Sequence, residues 1–169
     1  MKVFSRYSLI IALVFSLVAC TAKSTTLPTT ETLSDDQLAL HVLVDFLENL
    51  HAGKYDEAAR LYGGTYEIMI DHNPSIPPDD YVALLRNACT INGAECRLQV
   101  KSAGLDKKVS NTEFLFKVDF LNADGALFVL GPCCGGNETE SPPQSVFYFT
   151  VVEVDKDKFV VMDMPPYTP

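Results

Sequence analysis

Positive charge is scarce in this chain of 169 residues. Thirteen lysines and arginines stand against 22 aspartates and glutamates, a net of −9 with histidine neutral. That balance is poorly suited to nucleic acid, whose binding rests on neutralising phosphates, and anionic headgroups would repel it. It is read as a solubility feature. Histidine is scarcer still, with three in the whole chain. The chain has no HExxH pair, no glycine-rich phosphate loop and no nucleophile elbow. Cys-x-x-Cys, the usual redox spacing, is missing as well. No apolar run reaches the ~20 residues that a helix needs to cross a bilayer. These absences leave an acidic domain whose chemistry, if any, rests on scattered side chains. No catalytic residue, metal site or cofactor is assigned from the sequence.

What is present begins with the leader. Lys2 and Arg6 make a short basic start, and the apolar stretch LIIALVFSLVAC runs from Leu9 to Cys20. A basic start, a short apolar core and small residues before a cut make a secretory signal. Leu17-Val18-Ala19-Cys20 resembles the lipobox of bacterial lipoproteins. The resemblance implies that residues 1–19 are a signal peptide and that Cys20 becomes a lipidated, acylated amino terminus. Two or more acyl chains hold a protein stably at a membrane. The implied location is a lipid anchor on the extracytoplasmic side of a bacterial membrane. Thr21, where an aspartate would signal retention, implies by analogy no hold at the inner membrane of a double-membraned cell. Residues 20–33 are the lipidated cysteine and a threonine-rich stretch without apolar periodicity, expected to be a flexible tether. Loss of the leader's two cations takes the net charge to −11.

Residues 34–169 are expected to form a single domain, large enough to bury a core. Ser34 with Gln37 makes a capping box, and Asp35 and Asp36 suit the positive end of a helix. Leu40, Leu43, Val44, Leu47 and Leu50 follow at helical spacing, widened by Leu38, Val42 and Phe46, and Gly53 closes the helix. KYDEAARLYGG predicts a second, short helix stopped by Gly63-Gly64. TYEIMIDHNPSIPP reads as a proline-rich loop. Pro78 is expected in the first turn of a third helix, DDYVALLRNAC, and Asn92-Gly93 ends it. From there the period changes to two. Leu98, Val100 and Ser102 alternate with polar residues, as do Phe114, Phe116, Val118 and Phe120. NADG joins the second strand to a third, ALFVLG, and DKD joins SVFYFTVVEV to KFVVMDM. Three helices followed by five strands argue α+β, with an antiparallel sheet packed on helices along one face.

FLENLHAGKYDEAARLYGG, with the bent sheet expected after it, resembles the nuclear transport factor 2-like superfamily over roughly residues 34–165. This is the α+β cone of ketosteroid isomerases, polyketide cyclases and many small bacterial lipoproteins. GKYDEAARLY also resembles half a tetratricopeptide repeat, but arrays of that kind need several copies and one is present. The cone resemblance implies a strongly bent sheet and a pocket between the helices and its concave face. Tyr62, Tyr66, His72, Phe116, Phe147 and Tyr148 are the candidates to line that pocket. Ketosteroid isomerases use an aspartate base with a tyrosine and a protonated aspartate as oxyanion donors. Asp71, Asp119 and Asp163 are the carboxylates to weigh for such roles. Asp119 is read as solvated and Asp163 as facing outward near the chain end. His41 pairs with Asp45 on the polar side of the first helix, and His51 suits that helix's negative end. No convergent acid–base set emerges. The expected function is non-enzymatic binding of a small apolar ligand or a protein partner. An isomerase or dehydratase, and a homodimerising interaction module using the sheet face, are the alternatives.

Five cysteines less Cys20 leave Cys89, Cys96, Cys133 and Cys134. An even number outside the cytoplasm favours disulfides, and three pairings are open. Cys89 with Cys96 closes a local loop and leaves Cys133 and Cys134 vicinal or free. The other two pairings tie both members of GPCCGG to the third helix and the first strand. Zinc ligand pairs usually hold two to four residues between them, and six between Cys89 and Cys96 with none between Cys133 and Cys134 fit badly.

Overall fold

The computed structural model describes residues 33–132, 136–139 and 142–168. Four helices come first: α1 (Asp35–His51), α2 (Tyr55–Leu61), α3 (Glu67–His72) and α4 (Tyr81–Thr90). Four strands follow: β1 (Gln99–Lys108), β2 (Glu113–Leu121), β3 (Val146–Asp155) and β4 (Lys158–Val161). They form one antiparallel sheet in the order β1-β2-β3-β4. The class is α+β, with one more helix and one fewer strand than the sequence pattern predicts.

Helix α1 starts where its cap is written. The Ser34 N–H donates to Gln37 Oε1 at 2.9 Å, and the capping box is formed. Ala39, Leu43, Phe46, Leu47 and Leu50 make its buried stripe. Gly53 follows the helix at φ +71°, a left-handed turn that glycine takes without strain.

The extra helix is α3, inside the stretch read as a loop. Its six residues lie ahead of the prolines, and Met69 is its buried anchor. Pro78 is not in a first turn. Asp80 caps α4 instead, its Oδ1 accepting from the Ala83 N–H at 3.0 Å, so the prolines belong to the connection.

The strand missing from the count is ALFVLG. Its hairpin turn does form, with Gly125 at φ +81° and the Asn122 N–H donating to Ala126 O at 2.8 Å. Beyond the turn the segment makes isolated bridges only, Leu121 with Leu127 and Leu130 with Gln144. The reason lies in β2, whose edges are already taken. β1 pairs along one side, and β3 runs along the other as far as Val146 opposite Asp119. The hairpin is left with the short overhang past Asp119.

β1 also departs from simple alternation. Register shifts fall between Val100 and Ser102 and between Leu105 and Lys107. Such bulges bend a strand and re-aim its side chains. Ser102 therefore turns away from the core, and its hydroxyl donates to Asp119 Oδ2 at 2.7 Å on the outer face. Ala103 takes the inward place opposite Val118.

The core packs α1 on the inner face of the sheet, with α4 packed behind it on α2 and α3. Phe46, Leu43, Leu50, Leu84 and Leu85 share this core with Phe114, Phe116, Phe120, Phe149 and Val151, all fully buried. The free edge of β4 is covered by the chain leaving α2. Tyr62 bridges Val161, and the Gly63 N–H donates to Val161 O at 2.9 Å. This close approach requires Gly63 and Gly64. A Cβ on Gly63 would strike the Val160 side chain, and one on Gly64 would strike the Met162 carbonyl oxygen and the Tyr62 ring.

Overpacking of that kind typically costs ~1–3 kcal/mol. Gly64→Ala is expected to lower the unfolding free energy by about that amount in a denaturant titration. Gly104→Ala, whose Cβ would meet nothing within 4 Å, is expected to stay within about 0.5 kcal/mol of the parent. Equal midpoints for the two variants would contradict the close approach.

Candidate functional site

The space between the helices and the inner sheet face is filled by side chains. Phe114 stacks on Phe116 with centroids 6.5 Å apart, and Phe120 meets Phe147 at 5.7 Å and Phe149 at 6.1 Å. Phe116 and Phe147 thus belong to the hydrophobic core. Tyr148 points the other way and is 52% exposed on the outer face. The structure does not bring these three to a common cavity.

An open groove of about 460 Å³ lies instead beside the edge of β4. One wall is α3, which contributes Ile68, Met69 and His72. The other is the extended segment after β4, residues 162–167, here called the strap. Tyr62 and Thr65 stand at one end, and Ala88, Asn92 and Ala94 line it from α4 and the turn beyond. Ile68 at 67% exposed and Tyr167 at 55% leave apolar surface open at the rim. A smaller depression of about 370 Å³ adjoins it, sharing His72, Asn92 and Tyr167.

Hydrogen bonds hold the walls in place. Asn73 is the one buried polar residue among the described residues, 7% exposed. Its Nδ2 donates to Met69 O at 2.7 Å and to Asn92 Oδ1 at 3.0 Å, and its Oδ1 accepts from Asn87 Nδ2 at 2.9 Å. This single amide ties α3 to α4 and to the Asn92-Gly93 turn. The strap is stitched to the same turn. The Thr168 N–H donates to Gly93 O at 2.9 Å, the Glu95 N–H donates to Pro166 O at 2.8 Å, and the Thr168 hydroxyl donates to Glu95 Oε1. Gly93, at φ +87°, has no room for a Cβ, which would strike Thr168 O. A Cys89–Cys96 disulfide closes the loop that carries this turn. Cys20, Cys133 and Cys134 lie outside the described residues.

The titratable groups lining the groove are Tyr62, His72, Asp163 and Tyr167. Asp163 does not face outward. It is half-buried, and its Oδ2 accepts from the Thr150 N–H at 2.6 Å. Tyr62 lies near enough to feel that charge. Burial, and then Asp163, hold the Tyr62 proton above the ordinary tyrosine value, while its hydroxyl donates to Thr65 O at 3.2 Å. His72 is exposed on α3. Tyr66 stands behind the groove, edge-on to Tyr62 with centroids 5.1 Å apart and stacked on Tyr81 at 4.4 Å. Its hydroxyl is buried without a hydrogen-bond partner. Burial, then the Tyr62 and Tyr81 hydroxyls, push its ionisation well above the usual tyrosine range. Of the six pocket candidates, only Tyr62 and His72 line the groove.

The remaining candidates are scattered. Asp71 and His41 are exposed on their helices. His51 ends α1 with Nδ1 2.8 Å from Arg97 O, so that nitrogen carries the proton. Among the described residues no three His, Cys, Asp or Glu side chains gather as a site for a metal ion. No described helix is long and apolar enough to cross a membrane. No known family, characterised protein or solved structure matches this chain.

Two outcomes follow from this geometry. Replacing both Cys89 and Cys96 by serine opens a loop of sequence separation 7, which chain entropy values at roughly 2.5 kcal/mol. Hydrogen exchange at the Glu95 and Thr168 amides is expected to quicken more than at β2 amides. Uniform quickening would show that the loop does not hold the strap. Tyr66→Phe removes an unpartnered hydroxyl and is expected to raise stability by about 1 kcal/mol. The raised Tyr66 ionisation also sets a pH sign. Folded and unfolded chains both keep this proton below the ordinary tyrosine value near 10. Above it the unfolded chain loses the proton first, so stability falls as pH rises. Tyr66→Phe is expected to flatten that alkaline loss in thermal melts, and an unchanged slope would contradict the assignment.

Proposed function

We propose that this chain is a lipid-anchored extracytoplasmic binding protein, built on a nuclear transport factor 2-like cone, whose groove takes a small apolar ligand without chemistry. The observation that carries the reading is the groove's lining. Ile68, Met69, Ala88, Ala94, Met162, Met164 and Pro165 supply a mostly apolar surface with a few polar groups among them, the usual composition of a ligand site. Its single carboxylate is engaged by a backbone N–H, which favours holding over proton transfer. The order of helices before an antiparallel sheet, the helices on one face and the bulged β1 support the cone reading. The lipobox at Leu17–Cys20 supports the anchor and the location.

The nearness of Asp163 and Tyr62 favours a second reading, an isomerase or dehydratase with Asp163 as base and Tyr62 as donor. The exposed Tyr148 face favours a third, a homodimer formed through the outer side of the sheet.

An apolar fluorescent probe that brightens on leaving water separates these. The full chain is expected to bind it, and Ile68→Asp or Met162→Asp to weaken binding about tenfold or more, since a charge in an apolar site costs at least ~1.4 kcal/mol. Labelled palmitate is expected in the parent and not in Cys20→Ser. Equal probe affinity in parent and Asp variants overturns the groove. Turnover of a ketone substrate that Asp163→Asn abolishes replaces the binding reading with the enzymatic one.

A further inference from the structure

The chain has four methionines, one of them Met1. The other three, Met69, Met162 and Met164, all line the one groove. They reach it from two elements. Met69 sits on α3 with His72 three residues on, a spacing that puts both on one helix face. Met162 and Met164 sit two residues apart on the strap. Three methionines and a histidine therefore border a single, mostly apolar space.

We propose that this groove binds a soft monovalent metal ion, Cu(I), through the sulfurs of Met69, Met162 and Met164 and the imidazole of His72. Donor softness sets the choice of ion. Thioethers bind the soft Cu(I) and are poor ligands for Mg, Ca or Mn, which take carboxylate, carbonyl and water oxygens. The two cysteines near the groove are bonded to each other, so the thioethers are the soft donors left there among the described residues. A thioether has no proton to lose, so only His72 must be neutral to ligate. Methionine's three rotatable bonds let the sulfurs close on one ion. The groove volume of 460 Å³ equals that of a sphere ~10 Å across, so the four side chains have to close on an ion held within it. Asp163 adds a negative charge to the same lining, which favours a cation. The spacing that disfavours zinc at the cysteines has no bearing on these residues. The metal reading stands whether or not an organic ligand also uses the groove.

The test is an anaerobic titration of the full chain with Cu(I) against a coloured Cu(I) chelator, after alkylation of free thiols. Alkylation removes any contribution from Cys133 and Cys134. One Cu(I) per chain is expected. Met162→Leu, Met164→Leu and His72→Gln are each expected to weaken it by about tenfold or more, since even supporting residues around a metal typically contribute that much. Leucine nearly preserves methionine's volume and apolarity, so the leucine variants are expected to keep the parent's fold, read by circular dichroism and thermal melting. Ag(I), a diamagnetic stand-in, is expected to shift the methyl resonances of all three methionines together. Absence of binding by the parent overturns the proposal. So does Cu(I) binding that is equally tight in the triple variant Met69→Leu/Met162→Leu/Met164→Leu. Failure of the apolar probe alone overturns only the organic-ligand reading.

Discussion

The buried side chain of Asn73 sets the geometry that the groove depends on. A buried amide has to find partners for its donors and acceptor, and each partner it finds belongs to a different part of the wall. Met69 O is the backbone of α3, Asn87 is on α4, and Asn92 begins the turn that receives the strap. Loss of any of these contacts would leave a polar group desolvated, which costs more than the bond itself contributes. The network therefore fixes three elements by a penalty. Gly93 continues the constraint, because its left-handed backbone lets Thr168 approach as no side chain would allow. The disulfide restrains the same loop from its two ends.

The sheet contributes by closing a different space. Strict alternation along β2 sends Phe114, Phe116, Val118 and Phe120 to one side, and β3 adds Phe147, Phe149 and Val151 opposite them. Large rings on facing positions fill the volume in front of the sheet with edge-on and offset contacts. That volume is core, and the accessible concavity lies at the edge beside β4. Met162 still donates its N–H to Thr150 O, but the residues after it turn away to meet Glu95 and Gly93.

Much of this was legible in the sequence where local signals agree. The Ser34 cap, the apolar stripe of α1 and the closing Gly53 all point to one helix, and the phenylalanine alternation points to one buried strand face. α3 was not legible because EIMIDH is six residues long, too short for a clear period, and has Tyr66 at its cap. What orders it is tertiary: the aromatic contacts of Tyr66 and the Asn73 network. The bulges in β1 were hidden for a similar reason, since a register shift belongs to a pair of strands. Tyr62 and His72 are legible as pocket candidates. Met162 and Met164 are not, and Asp163, weighed only as a carboxylate, reads as facing outward, because an alternating segment near the chain end reads as a strand with its acid on the solvent side. A backbone amide across the sheet, at Thr150, turned that acid inward.

Whether such a groove holds a ligand or transforms one turns on its polar atoms. A general base must reach a substrate proton with a free lone pair and needs a second group to stabilise the charge it creates. Asp163 devotes Oδ2 to Thr150, and the Tyr62 hydroxyl, whose proton Asp163 helps hold, is turned toward Thr65 O. For Tyr62 to serve as donor it would have to release that bond, and Asp163 would have to approach a substrate without losing the amide that positions it. The methionines have no bond of that kind to give up. Their side chains would still have to turn to close on an ion, but methionine does this through three freely rotating bonds, and Asp163 keeps the amide that positions it. The same fold can host either, and the polar atoms of the site decide between them.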